Sequence, residues 1–246
     1  MMTEKPKKTH REVNPPKMNV RFLADYMAGS ERNKRSIVRA CRWRSLARQF
    51  QHQEAKAAIF SHLHSDDLGN FDTIAFRAQA LRDRTTFDRF ERDLLDINAD
   101  YLDRYLETFG VESVPGEFVD PGPAYPKVNL NGVEISFEVP VTLRRFMKGS
   151  NRARNGGIML RYEKGKALPN TTGEWQSALL FGYLTDHVDW GNAEPEQKLC
   201  LTFDVWTGKY HPAPGDSITR FKNAAAACAS IADMWSNIPA PATAIL

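Results

Sequence analysis

Residues 198–214 read KLCLTFDVWTGKYHPAP, and the fold follows from this stretch. Leu199, Leu201, Phe203 and Val205 alternate with their neighbours, the two-residue period of a strand with one buried face. Thr207-Gly208 then predicts the turn of a hairpin. Before this strand, Gly173 to about His187 carries Trp175, Leu179, Leu180, Tyr183 and Leu184 at helical spacing. Before that helix, GGIMLRYEKGKAL (156–168) reads as another strand, with Lys164-Gly165-Lys166 as a turn. Further back, VNLNGVEISFEVPVTLRR (128–145) alternates Val133, Ile135, Phe137 and Val139 against polar partners, and Asn131-Gly132 marks a tight turn. Beyond the 198–214 strand, Asp216 or Ser217 opens a last helix that runs to about Trp235.

The first half reads differently. Residues 1–18 are rich in Lys and Pro and are expected to form a disordered basic tail. Helices are expected from Asn19 to about Gly29, from Glu31 past Cys41 behind a Ser30 cap, and from Ser45 to Leu63. FDTIAFRAQALRDR adds a fourth through Ile74, Ala78 and Leu81. Thr85 to Phe109 predicts a long amphipathic helix ended by Gly110, with Phe87 and Phe90 on its apolar face and acids on the other. Residues 19–110 thus form a helical region, 111–127 a linker loop, and 128–238 a sheet-containing region. The fold class expected is α+β (α/β): a helical N-terminal half followed by a small mixed β-sheet flanked by helices.

The chain has 246 residues, 42% of them hydrophobic and 26% charged, enough for a sizeable core. No apolar run approaches the roughly 18–20 residues of a membrane span, and the charged start has no signal-peptide centre. The three cysteines are widely spaced and fit neither a disulfide framework nor a zinc site, so a cytoplasmic setting without a membrane is expected.

The net charge of +3 conceals a segregation: residues 1–64 carry +9, 65–120 carry −8 and 121–246 carry +2. One basic stretch, residues 32–48, holds Arg35, Arg39, Arg42, Arg44 and Arg48 with Trp43 among them. It reads either as a phosphate-binding face with an aromatic ring for stacking, or as the internal partner of the acidic helix 85–109. A second stretch, Arg144 to Lys166, includes Arg145, Arg152 and Arg154 around the Gly-rich loop GSNRARNGG. It reads either as a nucleic-acid contact or as a solvated loop. That loop lacks the Gly-Lys-Ser/Thr ending of a nucleotide-binding loop. His62, His64, Asp66 and Asp67, and separately His52 and Glu54, are candidate metal groups against a reading as plain polar surface. Asp204 and Glu174 read as site acids or, respectively, as a turn partner and a first-turn helix charge.

The order hairpin, Gly-rich gap, strand with a lysine turn, helix with an early Gln176 and a later Tyr183, then LCLTFDV and a helix, resembles the PD-(D/E)XK nucleases. The RecB-type exonuclease branch is the most similar, over residues 20–64 and 130–235. The resemblance implies one or two Mg²⁺ ions held by carboxylates on adjacent strands, with a lysine two residues beyond the second acid. It points to Glu138 and Glu163 as acids and metal ligands, to Lys164 or Lys166 as the lysine, and to Gln176 on the following helix. The required acid-x-Lys is broken: Glu163 is followed directly by Lys164 and Gly165, Lys166 lies three residues on, and Arg161 stands two before. The expectation is a catalytically degenerate nuclease-like protein, from a bacterium or mobile element, that binds DNA or RNA or a protein partner. The alternatives are an active Mg²⁺-dependent nuclease and an interaction module with no nucleic-acid role.

Overall fold

The computed structural model describes residues 8–46, 52–65, 67–110, 114–119, 122–147, 149, 152–163 and 165–246. Its centre is a mixed sheet built from β4 (Glu117–Val119), β7 (Val141–Phe146), β8 (Ala153–Arg161), β9 (Glu194–Asp204) and β10 (Lys209–Pro212), in the order β10-β9-β8-β7-β4. The β8–β9 pair is parallel and the other three are antiparallel. A parallel pair needs a crossover, which α6 (Asn170–His187) supplies. The class is therefore mixed α and β, as the sequence pattern indicates.

Strand alternation divides the core into two layers. Leu199, Leu201, Phe203 and Val205 of the β9 region join Val141, Leu143 and Ile158 on one face. That face is covered by α3 (Gln53–Leu63), α4 (Asp72–Asp83) and α5 (Arg89–Thr108), with Tyr101, Leu102 and Tyr105 fully buried. Met159 and Cys200 belong to the opposite face, under α1 (Val20–Ala28), α2 (Glu31–Arg42), α6 and α7 (Ser217–Asn237). The strands close tightly where β8 is irregular. A Cβ on Gly156 would lie 2.3 Å from the carbonyl oxygen of Leu199, so only glycine fits beside the register shift between Asn155 and Gly157.

Several expectations are corrected. Residues 8–18 are not a free tail. His10–Glu12 (β1) pairs antiparallel with Trp43–Ser45 (β3), and Lys17–Asn19 (β2) pairs parallel with Val133–Ser136 (β6). The helix expected from Ser45 therefore begins only at Gln53. The pairing of β1 with β3 joins residues about 30 positions apart, which local periodicity does not register. The linker 111–127 contains β4. The 128–145 alternation divides at Pro140: β6 joins β5 (Val128–Leu130) and β2 in a three-stranded sheet, while β7 enters the main sheet. Asn131 (φ 44°) and Gly132 (φ 90°) make the predicted β5–β6 turn.

The acidic helix starts at Arg89, capped by Asp88, whose carboxylate accepts from the Phe90 N–H at 2.8 Å. Phe87 and Phe90 are consequently solvent-exposed rather than core. Its acids pair with arginines of α4 and of α5 itself: Arg82 with Asp100 and Asp103, Arg92 with Asp96, Arg104 with Glu107. It covers the sheet face opposite α2, and none of Arg35, Arg39, Arg42 or Arg44 pairs with it. Among the described residues no helix is long and apolar enough to cross a membrane.

Candidate nucleic-acid-binding groove

Met159, Arg161 and Glu163 follow one another at the two-residue period, so their side chains share the α1/α6 side of the sheet. At this carboxyl end of β8 the chain turns away and a groove of about 1080 Å³ opens. One wall comes from α1, α2 and β3 through Arg21, Phe22, Asp25, Arg39, Trp43 and Arg44. The opposing wall comes from α3 through His52, Lys56 and Phe60. Glu138, Tyr162, Glu163 and Gln176 line the space between. A site beyond the carboxyl ends of parallel strands is the usual ligand position in such sheets.

The groove is organised by Arg161, which is 3% exposed. One guanidinium nitrogen donates to Asp25 Oδ1 at 2.7 Å and to Glu163 Oε1 at 2.8 Å. The other donates to Gln176 Oε1 at 3.1 Å and to the Arg21 carbonyl at 3.2 Å. A buried guanidinium needs carboxylates and further acceptors, and here two of each take its terminal nitrogens, while its Nε is buried without a partner. Across the groove, Lys56 forms an ion pair with Glu138.

These contacts decide whether the implied Mg²⁺ has ligands. Glu163 is bound to the buried Arg161 and Glu138 pairs with the exposed Lys56, so each of the two expected acids has a cation beside it. Among the described residues no group of three or more His, Cys, Asp or Glu side chains is arranged to hold a metal ion. The residues present do not fit a resident divalent ion. Lys166 is exposed beyond the turn and does not line the groove. Lys164 lies outside the described residues. Among the described residues the lysine that lines the groove is Lys56, which a search confined to the strand misses because it comes from α3, 82 positions before Glu138.

The remaining candidates separate cleanly. Arg39 and Arg44 line the groove, and Arg39 has a buried Nε with no hydrogen-bond partner. Arg21 opens to solvent inside the concavity with its guanidinium 4.6 Å from the Phe22 ring. Its partial desolvation by the surrounding walls, and next the neighbouring Arg161, lower its pKa from the ordinary arginine value. Arg35 is exposed outside the groove lining. Arg42 is structural: it pairs with Glu12 at 2.8 Å and donates to the Trp235 and Ile238 carbonyls. Trp43 is buried at the groove edge with Nε1 bonded to the Ile238 carbonyl at 3.1 Å, so its ring is packed and not open for stacking. Arg48 lies outside the described residues.

The second basic stretch sits at the amino end of β8. Arg145 pairs with Glu196, Arg154 with Glu194, and Arg144 donates to Asn155 Oδ1 at 3.2 Å. Arg152 is exposed beside them. None of the four lines the groove, and nine residues of β8 at about 3.3 Å each put some 30 Å between the two ends.

The other polar readings resolve toward structure. Asp204 is fully buried and accepts from the Leu168 N–H at 3.0 Å, the Trp206 N–H at 3.1 Å and the Thr207 hydroxyl at 2.6 Å, fixing the turn after β9. Gln176 is 2% exposed and serves Arg161. Tyr183 stacks on Phe137 with centroids 3.8 Å apart and donates to the Pro126 carbonyl. Glu134 pairs with Lys127 and Lys17 on the small sheet, away from the groove. His62 is buried against Tyr105, with Nδ1 2.9 Å from the phenol oxygen, while His64 is exposed, so they are no metal pair. Asp66 lies outside the described residues, and Asp67 accepts from the Gly69 N–H. Glu54 pairs with Arg77 and Arg84. Glu174 lies 3.6 Å from Arg220.

The chain matches no protein-family model and no curated protein.

Proposed function

We propose that this chain binds nucleic acid in the groove at the carboxyl end of β8 and does so without metal-dependent cleavage, as a degenerate nuclease-like protein. The observation that carries the reading is Arg161: a buried cation holds Glu163, which the nuclease resemblance makes a metal ligand, together with Asp25 and Gln176. Arg21, Arg39 and Arg44 supply phosphate-binding charge on one wall. Three buried free cysteines support a cytoplasmic location. Neutralising phosphates releases counterions, so affinity falls steeply with salt.

The test is fluorescence anisotropy with labelled oligonucleotides at low and moderate salt. The expected result is salt-dependent binding that Arg39→Ala with Arg44→Ala weakens about tenfold or more, while Arg145→Ala with Arg154→Ala changes it less than about twofold. No binding at low salt overturns the reading.

One observation favours a second reading. Lys56 places a lysine against Glu138 in the same groove as Glu163. In that reading the chain is an active nuclease, and a divalent ion must displace Arg161 from Glu163. Incubation of oligonucleotides with Mg²⁺ or Mn²⁺, with Glu138→Gln and Glu163→Gln as controls, separates the two.

A further inference from the structure

We infer that the groove takes a single-stranded polynucleotide, with its phosphates along the α1–α2–β3 wall and its bases against the α3 wall. This rests on the nucleic-acid reading above and adds the strand state and the orientation of the ligand.

Size is the first argument. About 1080 Å³ only slightly exceeds the roughly 300–1,000 Å³ of clefts built for small ligands. Such a space admits a few nucleotides of one chain between opposed walls, not a segment of duplex. The second is the distribution of charge. Arg21, Arg39 and Arg44 stand on one wall. The acids Glu138 and Glu163 lie between the walls, so a phosphate chain is favoured beside the arginines and repelled from the floor. The third is the apolar surface. Phe60 on the α3 wall is 46% exposed, with the His64 ring 4.4 Å from its centroid, so part of a large aromatic ring faces the concavity. A phenyl ring opposite a row of arginines offers a stacking face to an unpaired base, which a base held in a duplex does not present. The other dense basic region does not offer a duplex a ready platform, because Arg145 and Arg154 are taken by Glu196 and Glu194.

The experiment compares a labelled single-stranded oligonucleotide with its blunt duplex, using oligo-dT and oligo-U arms to distinguish DNA from RNA. Wild type, Phe60→Ala and Arg39→Ala are measured on each, with thermal unfolding as a check on folding. Phe60 is exposed, so its truncation leaves the fold intact. The inference predicts single-strand binding at least tenfold tighter than duplex, and a loss of about five- to a hundredfold in Phe60→Ala on the single strand. An oligonucleotide carrying abasic sites keeps its sensitivity to Arg39→Ala and loses its sensitivity to Phe60→Ala. Duplex binding as tight as single-strand binding, or indifference to Phe60→Ala, overturns the inference. If Arg39→Ala still weakens that binding, the nucleic-acid reading survives. Absence of binding to every oligonucleotide overturns both.

Discussion

Each end of β8 carries an arginine, Arg154 at one and Arg161 at the other, and their surroundings are opposite. At the amino end, Arg145 and Arg154 are the densest basic residues in the sheet region, yet glutamates of β9 take both. At the carboxyl end, the chain alternates Arg161 and Glu163, and the arginine is buried among four oxygen acceptors while other arginines line open space. At the amino end Arg145 and Arg154 are engaged in pairing, whereas Arg21, Arg39 and Arg44 of α1, α2 and β3 face the groove. With screening over about 8–10 Å, ends some 30 Å apart act independently.

The sharpest way to break this contrast is Arg161→Ala. Removing the buried guanidinium leaves the partly exposed Asp25 and Glu163 carboxylates without their shared cation, at a cost of about 2 kcal/mol in unfolding free energy measured by denaturant titration. The variant also frees the oxygens of Asp25, Glu163 and Gln176, so its melting temperature rises on adding Mn²⁺ or Mg²⁺, whereas the wild type responds to neither. A wild type stabilised by low millimolar Mg²⁺ would show that the guanidinium does not close the site.

Of similar size is Asp204→Asn, in register with Arg161 across the parallel pair. The amide cannot replace a charged acceptor that takes three hydrogen bonds, so about 2 kcal/mol of stability is lost with nucleic-acid affinity unchanged. A large loss of binding in a folded Asp204→Asn protein would move that acid from turn to site.

Two histidines add a pH dependence. Burial lowers the pKa of His62 and of His211, the latter helped by Lys209, so both are neutral in the native state. The unfolded chain then binds more protons near its ordinary histidine pKa of about 6.5. Stability is complete above that pH and falls as pH drops through about 6.5 toward the lowered folded values. His62→Asn and His211→Asn each flatten this slope between pH 7.5 and 5.5. A slope unchanged by both substitutions would assign the effect to other groups.

The smallest effect belongs to the amino end. Exposed pairs contribute about 0–1 kcal/mol, so Arg154→Ala shifts the unfolding midpoint slightly. A large shift would mean that the Arg154–Glu194 pair between β8 and β9 is structurally central and the two ends are less different than described.

Much of the fold was legible because it is local. The alternation in 198–205 and the helical spacing in 173–187 need only neighbouring residues, and both elements lie where they were read. The strands at 10–12, 17–19 and 43–45 were not, because each is defined by a distant partner. The groove was half legible. Glu138, Glu163, Gln176, Arg39, Trp43 and Arg44 line it as a set. Asp25, Lys56 and Phe60 were missed because helix residues carry no mark of which strand end they approach. The one available signal was Arg161 itself, a cation that follows the apolar run Ile158-Met159-Leu160 and stands two residues before an acid, which demands buried acceptors from elsewhere in the chain.

The central claim is that an internal guanidinium replaces a metal and leaves a groove that binds without cutting. It is tested most directly by measuring oligonucleotide affinity and integrity with the wild-type chain in EDTA and again in excess Mg²⁺. The account predicts comparable affinity in both at matched ionic strength and full-length oligonucleotide after prolonged incubation. Binding that requires Mg²⁺, or cleavage that appears with it and disappears in Glu163→Gln, would contradict it.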